Sequence, residues 1–173
     1  MSVLLVPHAA DAILEQLDGF VDQLSDDQFV QESTTFPGGT AGKHIRHTLD
    51  HFKAAIMTDC AQTIDYDHRE RGVNVESDRS AAKEQIAQLR SCLCDLSEDH
   101  LTNEVTTRVM CSGNGQCAEL SSTRGREIFF AMHHSIHHNA ILKAIATELG
   151  VTLDQSFGLA PSTINFESGL ASS

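Results

Sequence analysis

Four segments of this chain repeat apolar residues at the spacing of one face of an α-helix, and this periodicity limits the fold more than any other feature. The segments cover about residues 8–24, 40–64 and 78–96, with a fourth from about residue 123 to Gly150. Ser25–Gln28 has the pattern of a capping box, and Thr40 and a residue within Ser121–Thr123 are predicted to cap the second and fourth helices. Each such helix has one apolar stripe, which the other helices must cover. The chain is therefore predicted to be all-α, an up-down four-helix bundle in a single domain over residues 1–173.

A change of period before the fourth helix predicts a short β-hairpin. Residues 105–109 are rich in valine and threonine, and residues 113–115 form a Gly-Asn-Gly turn sequence. Cys111 and Cys117 flank this turn and would face each other across a three-residue loop. After Val151 the sequence has no periodicity, so the tail from about residue 152 is predicted to be irregular.

The charge balance argues against two classes of partner. The chain has 12 basic and 24 acidic residues, a formal net charge of −12, and no stretch concentrates its lysines or arginines. Nucleic acid and acidic membrane surfaces are therefore not expected to bind. Because no run approaches the ~18 apolar residues of a membrane span and the N-terminus has no basic leader, a cytoplasmic protein is predicted. Its five cysteines are expected to be free thiols.

Two histidines lie one helical turn apart inside the apolar stripe of the fourth predicted helix. At roughly 100° per residue, His134 and His138 share a face with apolar residues such as Leu142 and Ile145. An unpaired imidazole in an apolar interior costs on the order of kcal/mol, so a polar partner or a metal ion should meet these rings. Residues four apart are ~5–6 Å apart at Cβ, close enough for both rings to bind one ion.

The second predicted helix carries three more histidines in one stripe. His44, His47 and His51 have the spacing i, i+3 and i+7, which stacks their imidazoles along one face. This stripe is separate from the apolar stripe that includes Leu49 and Phe52, so periodicity alone does not bury it. Each of the three is a candidate for a third metal ligand, and partly solvated histidines are the alternative.

Three stretches of the sequence resemble a known family of helical proteins. These stretches are His44–His51, Thr123–Phe130 and His134–Ile141. They resemble the DinB/YfiT-like superfamily of metal-binding four-helix bundles, over nearly the whole of the predicted bundle. The resemblance implies that His47, His134 and His138 bind one divalent ion, and it implies a homodimer.

The resemblance also implies a chemistry. Some members of that superfamily catalyse thiol-dependent transfer, so it implies a metal-dependent enzyme of the transferase or hydrolase class, with a small-molecule substrate and a low-molecular-weight thiol. Imidazole ligands favour Zn, Ni or Fe over Mg or Ca. The competing hypothesis is a non-catalytic bundle that binds metal or protein in a stress or regulatory role.

Four further residues are candidates around this centre. Asp50 and His51 are predicted to orient a ligand or add to the ligand set, since carboxylates often hold a ligating imidazole in place. Arg69 and Arg71 follow the same helix in a charged segment and are predicted to bind a substrate carboxylate. A solvated surface is the alternative for Asp50, Arg69 and Arg71, and a solvated or partly packed ring is the alternative for His51.

Overall fold

The computed structural model describes residues 2–59, 63–67 and 74–171. Within these ranges the chain forms seven α-helices, one 3-10 turn and one three-stranded sheet. The helices are α1 (Leu5–Gln23), α2 (Asp26–Val30), α3 (Ala41–Met57), α4 (Arg79–Cys94), α5 (Glu98–Thr102), α6 (Arg124–Glu148) and α7 (Pro161–Ala171). The strands are β1 (Ile64–Asp65), β2 (Glu104–Met110) and β3 (Cys117–Thr123), and the 3-10 turn covers Asn74–Glu76.

Local capping explains where several of these helices begin. The Thr40 side chain accepts a hydrogen bond from the backbone N–H of Lys43 at the start of α3. Thr123 does the same for Arg126 at the start of α6. The capping box predicted between Ser25 and Gln28 is confirmed, and it begins the short α2.

The four longest helices bury their apolar stripes against one another. Helix α1 contacts α4 and α6, and α3 contacts the same two helices. The fully buried side chains at their centre include Leu14, Phe20, Leu49 and Phe52. Burying one such side chain contributes about 1.5–3 kcal/mol, so these contacts hold α3 and α6 side by side.

The predicted all-α, up-down four-helix bundle is wrong. The sheet is mixed, because β1 pairs parallel with β2 at Ile64↔Thr107 and Asp65↔Arg108, and β2 pairs antiparallel with β3. The second helix ends at Met57 rather than near Ile64, which belongs to β1. A two-residue strand has no periodicity of its own and is stabilised by the strand beside it, so the sequence pattern could not reveal it.

The hairpin formed by β2 and β3 lies directly before α6. Its register runs from Glu104↔Thr123 to Met110↔Cys117. The backbone N–H of Cys111 donates to the carbonyl of Gln116 at 2.7 Å, so Cys111 and Cys117 are not opposite each other. Both are free thiols and exposed, as is Cys94, while Cys92 is a partly buried free thiol and Cys60 lies outside the described residues.

The predicted irregular tail is partly helical. Gly150 has φ of +72°, a conformation that favours glycine, and it ends the α6 region. Phe157 is then buried and lies against Phe20, with ring centroids 5.8 Å apart, before α7 begins. Phe166 of α7 is 66% exposed. Neither α7 nor any other helix in the described ranges has both the length and the apolar character needed to cross a bilayer.

Side-chain hydrogen bonds connect α6 to α3 at one end of the helix pair and to the segment before α3 at the other end. The buried Arg124, the first residue of α6, donates to the carbonyls of Ala55 (2.8 Å), Ile56 (3.1 Å) and Thr58 (2.5 Å). These are carbonyls at the end of α3, which have no partner inside their own helix. The start of α6 therefore lies at the end of α3, and the two helices run antiparallel.

The second connection is made by the carboxylate of Glu148, the last residue of α6. It accepts hydrogen bonds from the Ser33 hydroxyl (3.1 Å) and from the backbone N–H groups of Thr34 (2.9 Å) and Thr35 (3.2 Å), in the segment that leads into α3. Hydrogen bonding from these residues, with a side-chain bond from Thr35 first, lowers the pKa of Glu148 to about 2. With Arg124 at the other end, the carboxylate sets which residues of α3 face which residues of α6.

Candidate metal centre

Helices α3 and α6 bring five histidines together in one cluster. His44, His47 and His51 come from α3, and His134 and His138 come from α6. The antiparallel packing pairs them in order, since His44 lies beside His138 and His47 lies beside His134. We call these five side chains the histidine cluster. The structure thus brings the three predicted ligands together, and both competitors from α3 lie beside them.

Two pairs of nitrogen atoms among the predicted ligands have separations close to those of a coordination shell. The Nε2 atoms of His47 and His134 are 3.0 Å apart, and those of His134 and His138 are 3.1 Å apart. In a tetrahedral site with metal–nitrogen bonds of about 2.0–2.1 Å, ligand nitrogens lie about 3.3–3.4 Å from one another. Each of these two pairs would have to move apart by a few tenths of an ångström to reach that separation.

Hydrogen bonding alone does not explain this convergence. A neutral imidazole nitrogen carries one proton or one lone pair, so the Nε2 atom of His134 can make one good hydrogen bond. It has two nitrogen neighbours at hydrogen-bond distance, one from His47 and one from His138. A cation that accepts lone pairs from all three atoms would satisfy each of them, so this donor set fits a metal ion.

His51 belongs to the same group of nitrogens. Its Nδ1 atom is 3.0 Å from the backbone carbonyl of His47, which can only accept, so Nδ1 carries the proton and Nε2 carries the lone pair. Its ring stacks on His134 with centroids 4.2 Å apart. Among the described residues, the set of three ligand atoms that all lie within 4.8 Å of one another comes from His47, His51 and His134. His51 therefore competes with His138 for the third ligand position, and this distance criterion favours His51.

The packing of the rings keeps three of these imidazoles neutral. Burial, and then the charges of His51 and His137, lower the pKa of His134 from 6.5 to about 4. Burial, and then neighbouring histidines with His134 first, lower the pKa of His138 to about 4. The pKa of His44 is also lowered, by burial and then by His137. Only neutral imidazole binds a metal, so at neutral pH these three rings are in the state that binds metal.

The metal-free protein is expected to lose stability as the pH falls from about 6.5 to about 4. The unfolded chain takes up these protons near pH 6.5, whereas the folded chain takes them up at His134 and His138 near pH 4. Between those values the unfolded state binds more protons, so the free energy of unfolding falls with the pH. Thermal unfolding in a chelator across this range measures the effect. The double variant His134→Gln/His138→Gln should show a shallower fall, and an equally steep one would contradict the assignment.

An aromatic wall covers one side of the histidine cluster. The Tyr66 ring stacks on His51, with centroids 5.2 Å apart and planes 15° apart, and Phe130 lies 5.2 Å from Tyr66. Phe130 also stacks on His134 at 6.0 Å. The Tyr66 hydroxyl donates to the buried Glu127 carboxylate at 2.7 Å. Burial first, and then that hydrogen bond, raise the pKa of Tyr66 well above its ordinary value, so the hydroxyl stays protonated.

Sequence reasoning placed the charged segment after α3 near this centre but assigned no role to Tyr66 or Glu127. Tyr66 is the single tyrosine of the chain and lies in a charged segment, a pattern typical of a surface loop. In the sequence, Glu127 is typical of the acidic residues that stabilise the first turn of a helix such as α6. Its burial depends on two donors that come from elsewhere, the Tyr66 hydroxyl and the Ser122 hydroxyl at 2.5 Å.

Asp50, another predicted site residue, is not a member of the histidine cluster. Asp50 lies 3.7 Å from Arg46 in an ion pair within α3, and Arg46 also binds Glu76 at 2.7 Å. The predicted orienting role of Asp50 stays a prediction. Arg69 and Arg71 lie outside the described residues.

Comparison with known proteins identifies one curated relative. The chain is 32% identical over 158 residues to FK506-binding protein 5 of Rhizopus delemar, an alignment that covers 90% of this chain and 36% of the relative. The chain thus spans about a third of the length of that relative. No family model matches the chain, and no solved structure matches it.

These comparisons contradict the resemblance to the DinB/YfiT-like superfamily. The relative is an FK506-binding protein, and no family model supports membership of that superfamily. The metal-dependent transferase or hydrolase predicted from it is wrong for the same reason, as is its alternative, a stress or regulatory bundle. Histidines at i, i+4 on an apolar helix arise wherever a helix places two imidazoles on one face, so such a short pattern carries little information about ancestry.

Proposed function

We propose that the histidine cluster binds one divalent transition-metal ion. The observation that carries this proposal is the position of the His134 Nε2 atom, 3.0 Å from the Nε2 atom of His47 and 3.1 Å from that of His138. Imidazole nitrogens favour Zn, Ni or Fe. The low-molecular-weight thiol, the small-molecule substrate and the homodimer stay predictions.

The number of histidines that bind the ion decides what the site can do. Three ligands, His47 and His134 with either His138 or His51, would leave a coordination position for another molecule. Four imidazoles would close a tetrahedral shell, which is typical of a site that stabilises structure or stores metal. The single tyrosine, Tyr66, stays protonated against Glu127, so a role as a phenolate ligand is not part of the proposal.

Metal titration of the purified chain tests the proposal. After treatment with a chelator, the protein should take up one equivalent of Zn²⁺ or Ni²⁺. A ligand at 100 times its dissociation constant stabilises the folded state by about 2.7 kcal/mol, which should raise Tm by about 5–10 °C. Mg²⁺ should leave Tm unchanged, because imidazole is a poor ligand for it. The absence of saturable binding by calorimetry would refute the proposal.

The curated relative favours a second candidate function. The name FK506-binding protein 5 suggests binding of FK506 and peptidyl-prolyl isomerase activity, and 90% of this chain aligns with that protein. The chain has a cavity of about 370 Å³ between the ends of α3 and α4, lined in part by Ile56, Leu96 and His100. Pockets for drug-sized molecules have volumes of about 300–1,000 Å³.

Binding of FK506 separates the two candidates. The cavity is at the Arg124 end of α6, ten residues and about 15 Å along the helix from His134. Ligand binding there should therefore not depend on metal. Calorimetric titration with FK506, and a proline isomerisation assay on a short peptide, are run on metal-free and Zn²⁺-treated protein. Equal binding in both states would support the second candidate, and no binding in either state would exclude it.

A further inference from the structure

We propose that His44 is a positioning residue that sets the tautomer of His138, so that the Nε2 lone pair of His138 points into the histidine cluster. This inference rests on the proposed metal site. His44 and His138 approach each other through their Nδ1 atoms, which are 3.2 Å apart. The other nitrogen of His138, Nε2, is the one that lies 3.1 Å from His134.

Each ring nitrogen of His138 therefore has a nitrogen of another histidine at hydrogen-bond distance. A neutral imidazole has one N–H group and one lone pair. If the Nε2 lone pair is to bind a metal, the proton must be on Nδ1, and an acceptor must receive it. The Nδ1 atom of His44 is at the right distance to accept that proton. His44 must then carry its own proton on Nε2.

No carboxylate takes this role among the described residues. Ligating histidines usually donate their second N–H to a carboxylate or a backbone carbonyl. Within the described part of the chain, the hydrogen-bond partners of the His138 ring are His134 and His44. A neutral imidazole as acceptor adds no negative charge near the ion, so it orients the ring without the electrostatic effect of a carboxylate.

The segment before α3 holds His44 in place. The backbone N–H of His44 donates to the Thr40 carbonyl at 3.2 Å, and its ring packs edge-on against Phe36 at 6.3 Å. A Cβ at Gly39 would lie 3.1 Å from the Nε2 atom of His44, so the backbone there passes close to the ring. Glu148 of α6 binds this same segment at Ser33. The helix that carries His138 thus also anchors the segment that supports His44.

The tautomers are measured directly on the metal-free protein. Long-range ¹H–¹⁵N correlation spectra of labelled histidine rings at neutral pH distinguish a protonated Nδ1 from a protonated Nε2. We expect His138 to be protonated at Nδ1 and His44 at Nε2. In the variant His44→Leu, His138 should lose this preference. A His138 ring protonated at Nε2 in the natural protein would overturn the inference, whatever the outcome of metal titration.

Matched variants then measure the effect on metal affinity. Asparagine places its Oδ1 atom where histidine has Nδ1, so His44→Asn keeps the acceptor, whereas His44→Leu fills similar space without one. Loss of an orienting partner typically costs about 10- to 100-fold in metal affinity. We therefore expect His44→Leu to weaken Co²⁺ or Zn²⁺ binding by that factor and His44→Asn to restore most of it. His133→Leu, at an exposed position on α6, is the control.

The outcomes separate this inference from the proposed function. If the natural protein binds no metal, the proposed function fails, and the spectra still decide the tautomer of His138. If His44→Leu folds normally by circular dichroism and binds metal as tightly as the natural protein, the positioning role is refuted and the metal site stands. If His44→Asn weakens binding as much as His44→Leu, His44 is itself a ligand and the positioning role is again refuted.

Discussion

The variant His134→Ala is expected to lose stoichiometric metal binding. The Nε2 atom of His134 is the one shared by both short contacts, 3.0 Å to His47 and 3.1 Å to His138. Its removal leaves ligand candidates on α3 and His138 on α6 with no nitrogen between them. The loss of affinity should exceed the roughly 100-fold that marks the upper end for orienting residues, because a ligand is lost rather than its support. Metal content by elemental analysis after dialysis measures it.

The same variant should remain folded. The cluster buries imidazoles whose pKa values are lowered chiefly by burial, so the metal-free site contributes little to stability. Alanine also has a higher helix propensity than histidine, by a few tenths of a kcal/mol. We expect an unchanged or slightly raised Tm without metal. His133→Ala is the matched control on α6, since His133 is exposed and its substitution should leave metal content at one equivalent. Full metal retention by His134→Ala would show that His134 is not a ligand.

The variant Gly42→Ala is expected to destabilise the protein by about 3 kcal/mol or more. Gly42 is in the first turn of α3, and a Cβ there would lie 2.1 Å from the backbone carbonyl oxygen of Glu76 and 2.7 Å from the Phe29 ring. Backbone cannot move aside as a flexible side chain can, so the 3-10 turn that contains Glu76 must shift away from α3. Overpacking typically costs 1–3 kcal/mol, and contact with backbone puts this case at the upper end.

A second glycine provides the matched control. Gly19 is in α1, and no described atom beyond its chain neighbours and its own helix backbone lies within 4 Å of a Cβ built there. Gly19→Ala should therefore stabilise the protein by up to about 1 kcal/mol through helix propensity. Chemical denaturation of both variants measures the difference. Equal stability changes would mean that α3 and the 3-10 turn are not packed as described.

Local sequence patterns predicted several elements near the site correctly. Thr40 and Thr123 cap α3 and α6, because capping needs only one side-chain oxygen and the N–H group three residues later. The spacing of His134 and His138 by itself predicts that the pair lies on a buried face of α6. In the structure His138 is buried and His134 is partly buried. These features depend on residues within one or two helical turns, so the sequence contains all the information they need.

Other features of the site depend on contacts between distant segments. His44 and His51 could not be ranked against His47 from spacing, since all three share one stripe of α3. The structure separates them, because His44 meets His138, His47 meets His134, and His51 is stacked between His134 and Tyr66. The strand β1 and the buried Glu127 escaped prediction for the same reason.

The amino-acid sequence by itself determined the long amphipathic helices, their caps and the two helical faces that carry histidines, because helix formation and capping are local and periodic. Only the tertiary structure decided that those faces meet, in antiparallel order, with Arg124 and Glu148 fastening α6 to α3 and to the segment before it. It also decided that β1 joins the hairpin in a mixed sheet. A hydrogen bond between residues a hundred positions apart depends on the whole chain having folded, and no short pattern along the sequence records it.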